Sequence, residues 1–146
     1  MADLSDVVKV GSGDSYLAVV STTRRDGSVL STVINAGVVA HPSTGEQVVG
    51  AVLVGGVRKI AHLRERPRLT VTWRAGWSWV TAEGPAELIG PDDPYDGVDA
   101  ERLRLLLRET FAGAGGTHDD WDEYDRVMAS DRRVVVLVTP DRIYGS

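Results

Sequence analysis

Short β-branched runs separated by turn residues fill the chain from Tyr16 to Gly90, and only after Asp99 does the apolar spacing lengthen to a helical period. YLAVVSTT (16–23) and VLSTVINAGVV (29–39) are joined by RRDG, whose Asp26-Gly27 pair favours a hairpin turn, so two antiparallel strands are predicted. HPSTGEQ, with Pro42 and Gly45, turns the chain into a third strand, VVGAVLV. VRKIAHLRERP reads as a short helix, because Ile60 and Leu63 share a face and Pro67 stops it. In RLTVTWR, Leu69, Val71 and Trp73 alternate with Thr70, Thr72 and Arg74, the signature of a strand with one buried face. After a turn at Ala75-Gly76, WSWVTAEGPAELIG predicts a long strand bent at Gly84-Pro85, with Trp77, Trp79 and Thr81 on one side.

AERLRLLLRETFA places Leu103, Leu106, Leu107 and Thr110 along one stripe of an amphipathic helix, which AGAGG ends. THDDWDEYDRVMAS starts with Thr117 and an acid three residues on, a capping-box-like opening, and carries Trp121, Tyr124 and Met128 at helical spacing. RRVVVLVT is the last predicted strand. Many short antiparallel strands with a few helices inserted late predict a mainly β protein, a small barrel or sandwich, in a single domain over residues 1–146.

Composition narrows the function. No apolar run approaches the roughly 18 residues of a membrane span, and MADLSDVVKV has no feature of a secretory leader, so a cytoplasmic protein is expected. The absence of cysteine excludes disulfides and thiolate chemistry, and redox work would need a cofactor. A net charge of −5 argues against a nucleic-acid surface. His41, His62 and His118 fit no metal-ligand spacing, and the acids of HDD (118–120) are those expected to complement the start of a helix. No GxSxG elbow frames a serine, so no residue is assigned a catalytic role.

The stretch VLVGGVRKIAHLRERP (52–67) raises a specific question. Gly55 and Gly56 free the backbone at the point where a helix opens with unpaired N–H groups, and Arg58 and Lys59 occupy a first turn that ordinarily prefers acids. A bound phosphate or carboxylate would supply the missing negative charge. The other reading is a tight turn followed by a solvated basic face. Lys59 is conspicuous because the only other lysine is Lys9. Trp77 and Trp79 also have two readings, packing within a core or subunit contact, or the border of a flat cofactor.

The succession RRDGSVLSTVI, RKIAHLRERPRLTV, GWSWVTAEGPAEL, HDDWDEYDRVMASDRRVVV and terminal RIYG resembles the flavin and deazaflavin oxidoreductase superfamily, with HDDWDEYDRVMASDRRV after GWSWVTAEG most similar to its mycobacterial-type B group. The resemblance implies an antiparallel Greek-key split β-barrel of the pyridoxamine-phosphate-oxidase, FMN-binding type. It implies a reductase transferring a hydride from coenzyme F-420, an 8-hydroxy-5-deazaflavin with a phosphate and an oligoglutamate tail, to an unsaturated small molecule. The alternatives it leaves are an FMN-dependent oxidase or reductase, or a non-catalytic carrier of such a cofactor or of a tetrapyrrole. By the same resemblance Lys59 grips the cofactor phosphate with Gly56, Val57 and Arg58 around it, Val52 and Val54 lead into the site, and Thr32 faces the ring system. A homodimer is implied, with sites between subunits that Trp77 and Trp79 reach. Where relatives often carry arginine two residues before the lysine and asparagine three after it, this chain has Val57 and His62.

Overall fold

A computed structural model describes residues 1–146. Eight strands and four helices follow in the order α1 (Leu4–Ser12), β1 (Leu17–Thr23), β2 (Val29–Asn35), β3 (Gly37–Ala40), β4 (Gln47–Leu53), α2 (Arg58–Glu65), β5 (Arg68–Ala75), β6 (Ser78–Ile89), α3 (Ala100–Gly113), α4 (Trp121–Ser130), β7 (Val134–Val138) and β8 (Arg142–Gly145). Every ladder is antiparallel, in the order β2-β1-β5-β6-β7-β4-β3, with β8 added to β6. The two end strands, β2 and β3, are consecutive in the chain, so the sheet must curl back on itself; no ladder joins them, and the barrel stays split along that seam.

β6 makes the barrel's corner. Its first part pairs with β5 as far as Pro85, and Ala86 to Ile89 then pair with β7. The predicted bend at Gly84-Pro85 is thus the passage from one half of the barrel to the other. A Cβ on Gly84 would lie 2.3 Å from the carbonyl of Thr139, so only glycine lets the two segments cross so closely.

The strand faces follow the predicted alternation. Leu69, Val71 and Trp73 are buried in the barrel with Val20, Val80, Ala82 and, from α2, Ile60 and Leu63. A second apolar layer, Leu106, Leu107 and Tyr124 against Val39, Val48, Val135 and Leu137, packs α3 and α4 on the outside of β3, β4 and β7. This explains why β7 reads as an unbroken VVVLV: both of its faces are covered.

Five local features depart from the sequence pattern. The run 29–39 is two strands, broken at Ala36, whose N–H donates to Tyr16 O (3.0 Å) and whose carbonyl accepts the Trp73 indole N–H (2.7 Å). Thr117 is not the cap of α4; Asp120 is, accepting from Glu123 N at 3.1 Å, with acids Asp122 and Glu123 in the first turn. α1 and β8 were not predicted. α1 is capped by Asp3, whose carboxylate accepts from the backbone of Ser5 while Asp6 accepts from that of Asp3, a box built from two aspartates in place of the usual Ser/Thr and Glu. Trp77 sits in the β5–β6 turn, and only Trp79 and Thr81 share the strand face. No helix is long and apolar enough to cross a membrane.

Trp73→Phe should leave the buried carbonyl of Ala36 without a donor and cost about 1–3 kcal/mol. Urea unfolding reads this; a stability equal to the parent would show that the corner at Ala36 does not depend on the indole.

Candidate functional site

The site begins where β4 leaves the barrel. Gly55 donates its N–H to Asp131 O at 3.3 Å, and a Cβ there would stand 2.4 Å from the carbonyl of Arg132. Its role is to let the α4–β7 turn, in which Arg132 takes a left-handed φ of 51°, lie directly on the β4–α2 turn. Gly56 differs: its φ is +83° and nothing lies within 4 Å of where a Cβ would be, so bare backbone faces open space.

α2 then starts without a side-chain cap, from Val57, and with no acid in its first turn. The first N–H of the helix to find a backbone partner is that of Ile60, on Val57 O. Further along α2 the cations are matched: Arg64 forms a two-pronged pair with Asp93 (2.8 and 2.9 Å), and Arg66, just past the helix, is held by Glu65. That contact with Asp93 stabilises the charged guanidinium of Arg64 and raises its pKa. Arg58 and Lys59 have no carboxylate within 4.0 Å, although the chain as a whole is acidic. Uncapped N–H groups and unmatched positive charge therefore coincide at one helix end.

That end opens into a cavity of about 590 Å³ at the barrel's seam. One wall is Val52, Leu53, Val54, Val57 and Lys59; the facing wall is Ile34 and Asn35 of β2 with Ser15. The C-terminal end of α3 and the linker after it, with Tyr124, Met128 and Arg133, complete the lining. Tyr124 donates its hydroxyl to Leu107 O (2.9 Å), and burial pushes its pKa up to about 12, so it stays a neutral donor at any physiological pH. Ser15 and Tyr16 both adopt φ of 56°, costly for side-chain-bearing residues. Packing holds them there, because the Tyr16 ring fills the space that a Cβ on Gly11 or Gly115 would occupy, and Asn35 Nδ2 donates to Ser15 O at 2.9 Å.

Of the residues singled out from sequence, Lys59, Val52, Val54 and Val57 line this cavity. Gly56 and Arg58 flank it on the turn without lining it. His62 points elsewhere, its Nδ1 3.1 Å from Thr22 Oγ1. Thr32 is outside the lining, yet its hydroxyl oxygen is buried and has no hydrogen-bond partner, the one side-chain atom in that condition. Trp77 is 98 % exposed, and Trp79 stands edge-on to Tyr144 (6.2 Å) on the outer face of the sheet, so neither borders the cavity of its own chain. His41 is tied to Glu87 (2.9 Å), and His118 Nδ1 accepts from Asp120 N. No three His, Asp or Glu side chains converge on a point. Sequence reading missed Ser15, Asn35, Tyr124, Met128 and Arg133 as cavity residues.

No family model matches the chain. Among solved structures, it is similar to a pyridoxamine 5'-phosphate oxidase-related, FMN-binding protein from Nostoc punctiforme, with a TM-score of 0.67 at 9% identity, covering 99% of this chain and 84% of that one. An F420 reductase superposes with a TM-score of 0.56 at 15% identity over 89% of this chain and 90% of that one. A heme-binding protein from Mycobacterium smegmatis gives 0.66 at 11% identity, over 100% of this chain but 55% of its own length. The fold is therefore the split barrel of pyridoxamine-phosphate-oxidase-like proteins, a scaffold whose members in this comparison differ in what they bind.

Gly55→Ala should force the β4–α2 and α4–β7 turns apart and destabilise the chain by about 1–3 kcal/mol, as overpacking does. A denaturation midpoint unmoved by the substitution would mean that the two turns are not in contact.

Proposed function

We propose that this protein is an oxidoreductase that holds a phosphate-bearing flavin-type cofactor in the seam cavity, coenzyme F-420 in the first reading and FMN in the second. The observation that carries the proposal is the unmatched positive charge of Arg58 and Lys59 on an uncapped helix end that opens into a cavity of about 590 Å³. The side chains present fit such a group. Lys59 supplies a cation with no internal partner, and the Gly56 backbone leaves room for an anion to approach. Val52, Val54 and Ile34 offer apolar surface to a ring system.

The cofactor, when bound, supplies the two-electron chemistry as a hydride carrier. The chain's part is placement. Lys59 and the first-turn N–H groups of α2 fix one end of the ligand, and the rigid corner at Ser15 and Asn35 fixes the opposite wall. An unsaturated, electron-poor small molecule is the substrate class that such chemistry reduces. The same anchor serves FMN, which also ends in a phosphate, and this is what supports the second reading. A heme carrier has less support from the side chains, since none of the three histidines lines the cavity.

A homodimer belongs to the same proposal. Val33, Val19, Thr72, Thr81 and Tyr144 stand in one row across the outer face of β2, β1, β5, β6 and β8, flanked by Leu17 and Trp79. Val33 is 63 % exposed and Val29 56 %, large apolar exposure on a five-stranded surface, and a second copy on this face would cover it. Trp77 and Trp79 could meet a cofactor only across that contact.

Lys59→Ala should weaken binding of F-420 or FMN about tenfold or more, since a charge-assisted contact contributes about 1.5–3 kcal/mol. Fluorescence titration against both cofactors reads it and ranks the two readings; an unchanged dissociation constant would remove Lys59 as the anchor. Val33→Arg should convert a dimer into monomer in sedimentation velocity, and a parent protein already monomeric would end the dimer proposal.

A further inference from the structure

Arg133 differs from the closely paired arginines of α3 and of its own turn. Arg132 grips Asp92 with two contacts of 2.5 and 3.1 Å, and Arg104 and Arg108 share Asp125 at 2.6 to 2.9 Å. Arg133 has only Asp131, two residues away, and touches one oxygen of it at 3.3 and 3.4 Å, longer than the charge-assisted range. Its side chain is nevertheless only 27% exposed. Partial removal from water without a close counter-ion is unfavourable unless something else supplies the negative charge.

Its position says where that charge would come from. With Met128, Arg133 stands on the wall of the seam cavity and also on that of a second cavity, of about 580 Å³, beneath the 91–98 loop and beside α3 and α4. The other arginines lining the second cavity, Arg104 and Arg132, are already held by Asp125 and Asp92. The backbone at Arg133 is fixed as well, its N–H donating to Met128 O at 3.0 Å. A ligand that extends from the seam cavity toward the second one must pass this guanidinium.

We infer that Arg133 is a second anion anchor, which receives a carboxylate that the ligand carries beyond the phosphate held at Lys59. The inference rests on the cofactor reading above and deepens it. FMN ends at its phosphate and has nothing to offer Arg133; a deazaflavin with a glutamate tail has. Arg133 is thus a specificity-determining residue that favours the tailed cofactor, and Asp131 is the internal carboxylate that the tail displaces.

The test measures dissociation constants by fluorescence for tailed F-420 and for the same deazaflavin cut back to its phosphate. Arg133→Gln should weaken the tailed ligand about tenfold and leave the truncated one within about twofold, the size of one charge-assisted contact. Asp131→Asn, which releases the guanidinium from its only carboxylate, should tighten the tailed ligand and not the truncated one. Lys59→Ala should weaken both. Equal effects of Arg133→Gln on the two ligands, or none, would overturn the inference while leaving the cofactor reading in place. If Arg133→Gln does not fold, an Asp131→Asn protein with no gain for the tailed ligand overturns it equally. A parent protein that binds neither deazaflavin would end the inference together with the F-420 reading, and binding of FMN alone would leave the second reading in place.

Discussion

The close approach of two backbone turns, at Gly55 and Arg132, organises the candidate site. One turn ends β4 and starts α2; the other ends α4 and starts β7. β4 and β7 are neighbours in the sheet, paired from Val49 with Val138 to Leu53 with Val134, so their turns emerge side by side at one end of the barrel. Contact between them needs a residue without a side chain on one strand's exit and a left-handed residue on the other's entry, and Gly55 and Arg132 meet these needs. The consequence is electrostatic. Segments 58–59 and 132–133 carry four cations on these adjoining turns, and two of them, Lys59 and Arg133, line the seam cavity.

Four positive charges at one end of an acidic protein must be balanced, and the balance is uneven. The 91–98 loop supplies Asp92 to Arg132 and Asp93 to Arg64, which ties that loop to the α4–β7 turn and to α2 at once. The hydroxyl of Tyr95 on the same loop donates to Glu87 (2.6 Å), which also meets His41, so the loop has a third attachment on the far side. Burial acts to raise the pKa of Glu87, but the hydrogen bonds from Tyr95 and His41 together lower it, keeping the carboxylate ionised. What the loop does not neutralise is the charge facing the cavity. The site is defined by the cations left over after the fold's own carboxylates are used.

Much of the barrel was legible from residues because one face of several strands is buried, and burial imposes period-two alternation on β1 and β5. β2 alternates as well, but the break at Ala36 left no trace in its apolar pattern, since it depends on an indole from β5, far away in sequence. α1 was hidden because its N-terminal box uses aspartates and its buried side is narrow, with Val7 the only buried side chain larger than glycine. Lys59 could be found because a basic first turn contradicts a local rule. Arg133 could not, since a cation before a strand contradicts nothing, and only three-dimensional accounting of its single loose carboxylate makes it unusual.

The same reasoning separates the two glycines that together drew attention to the junction. In sequence they are one feature, a pair that frees the backbone. In the fold, Gly55 faces inward against Arg132 and serves packing, whereas Gly56 faces open space and serves access. A larger residue at Gly55 would push Arg132 and Arg133 away from α2 and disperse the cations, while one at Gly56 would strain the turn and obstruct whatever approaches it. Architecture and recognition thus divide between adjacent residues, and the first of them, by letting the two turns touch, brings Arg133 to the same cavity as Lys59.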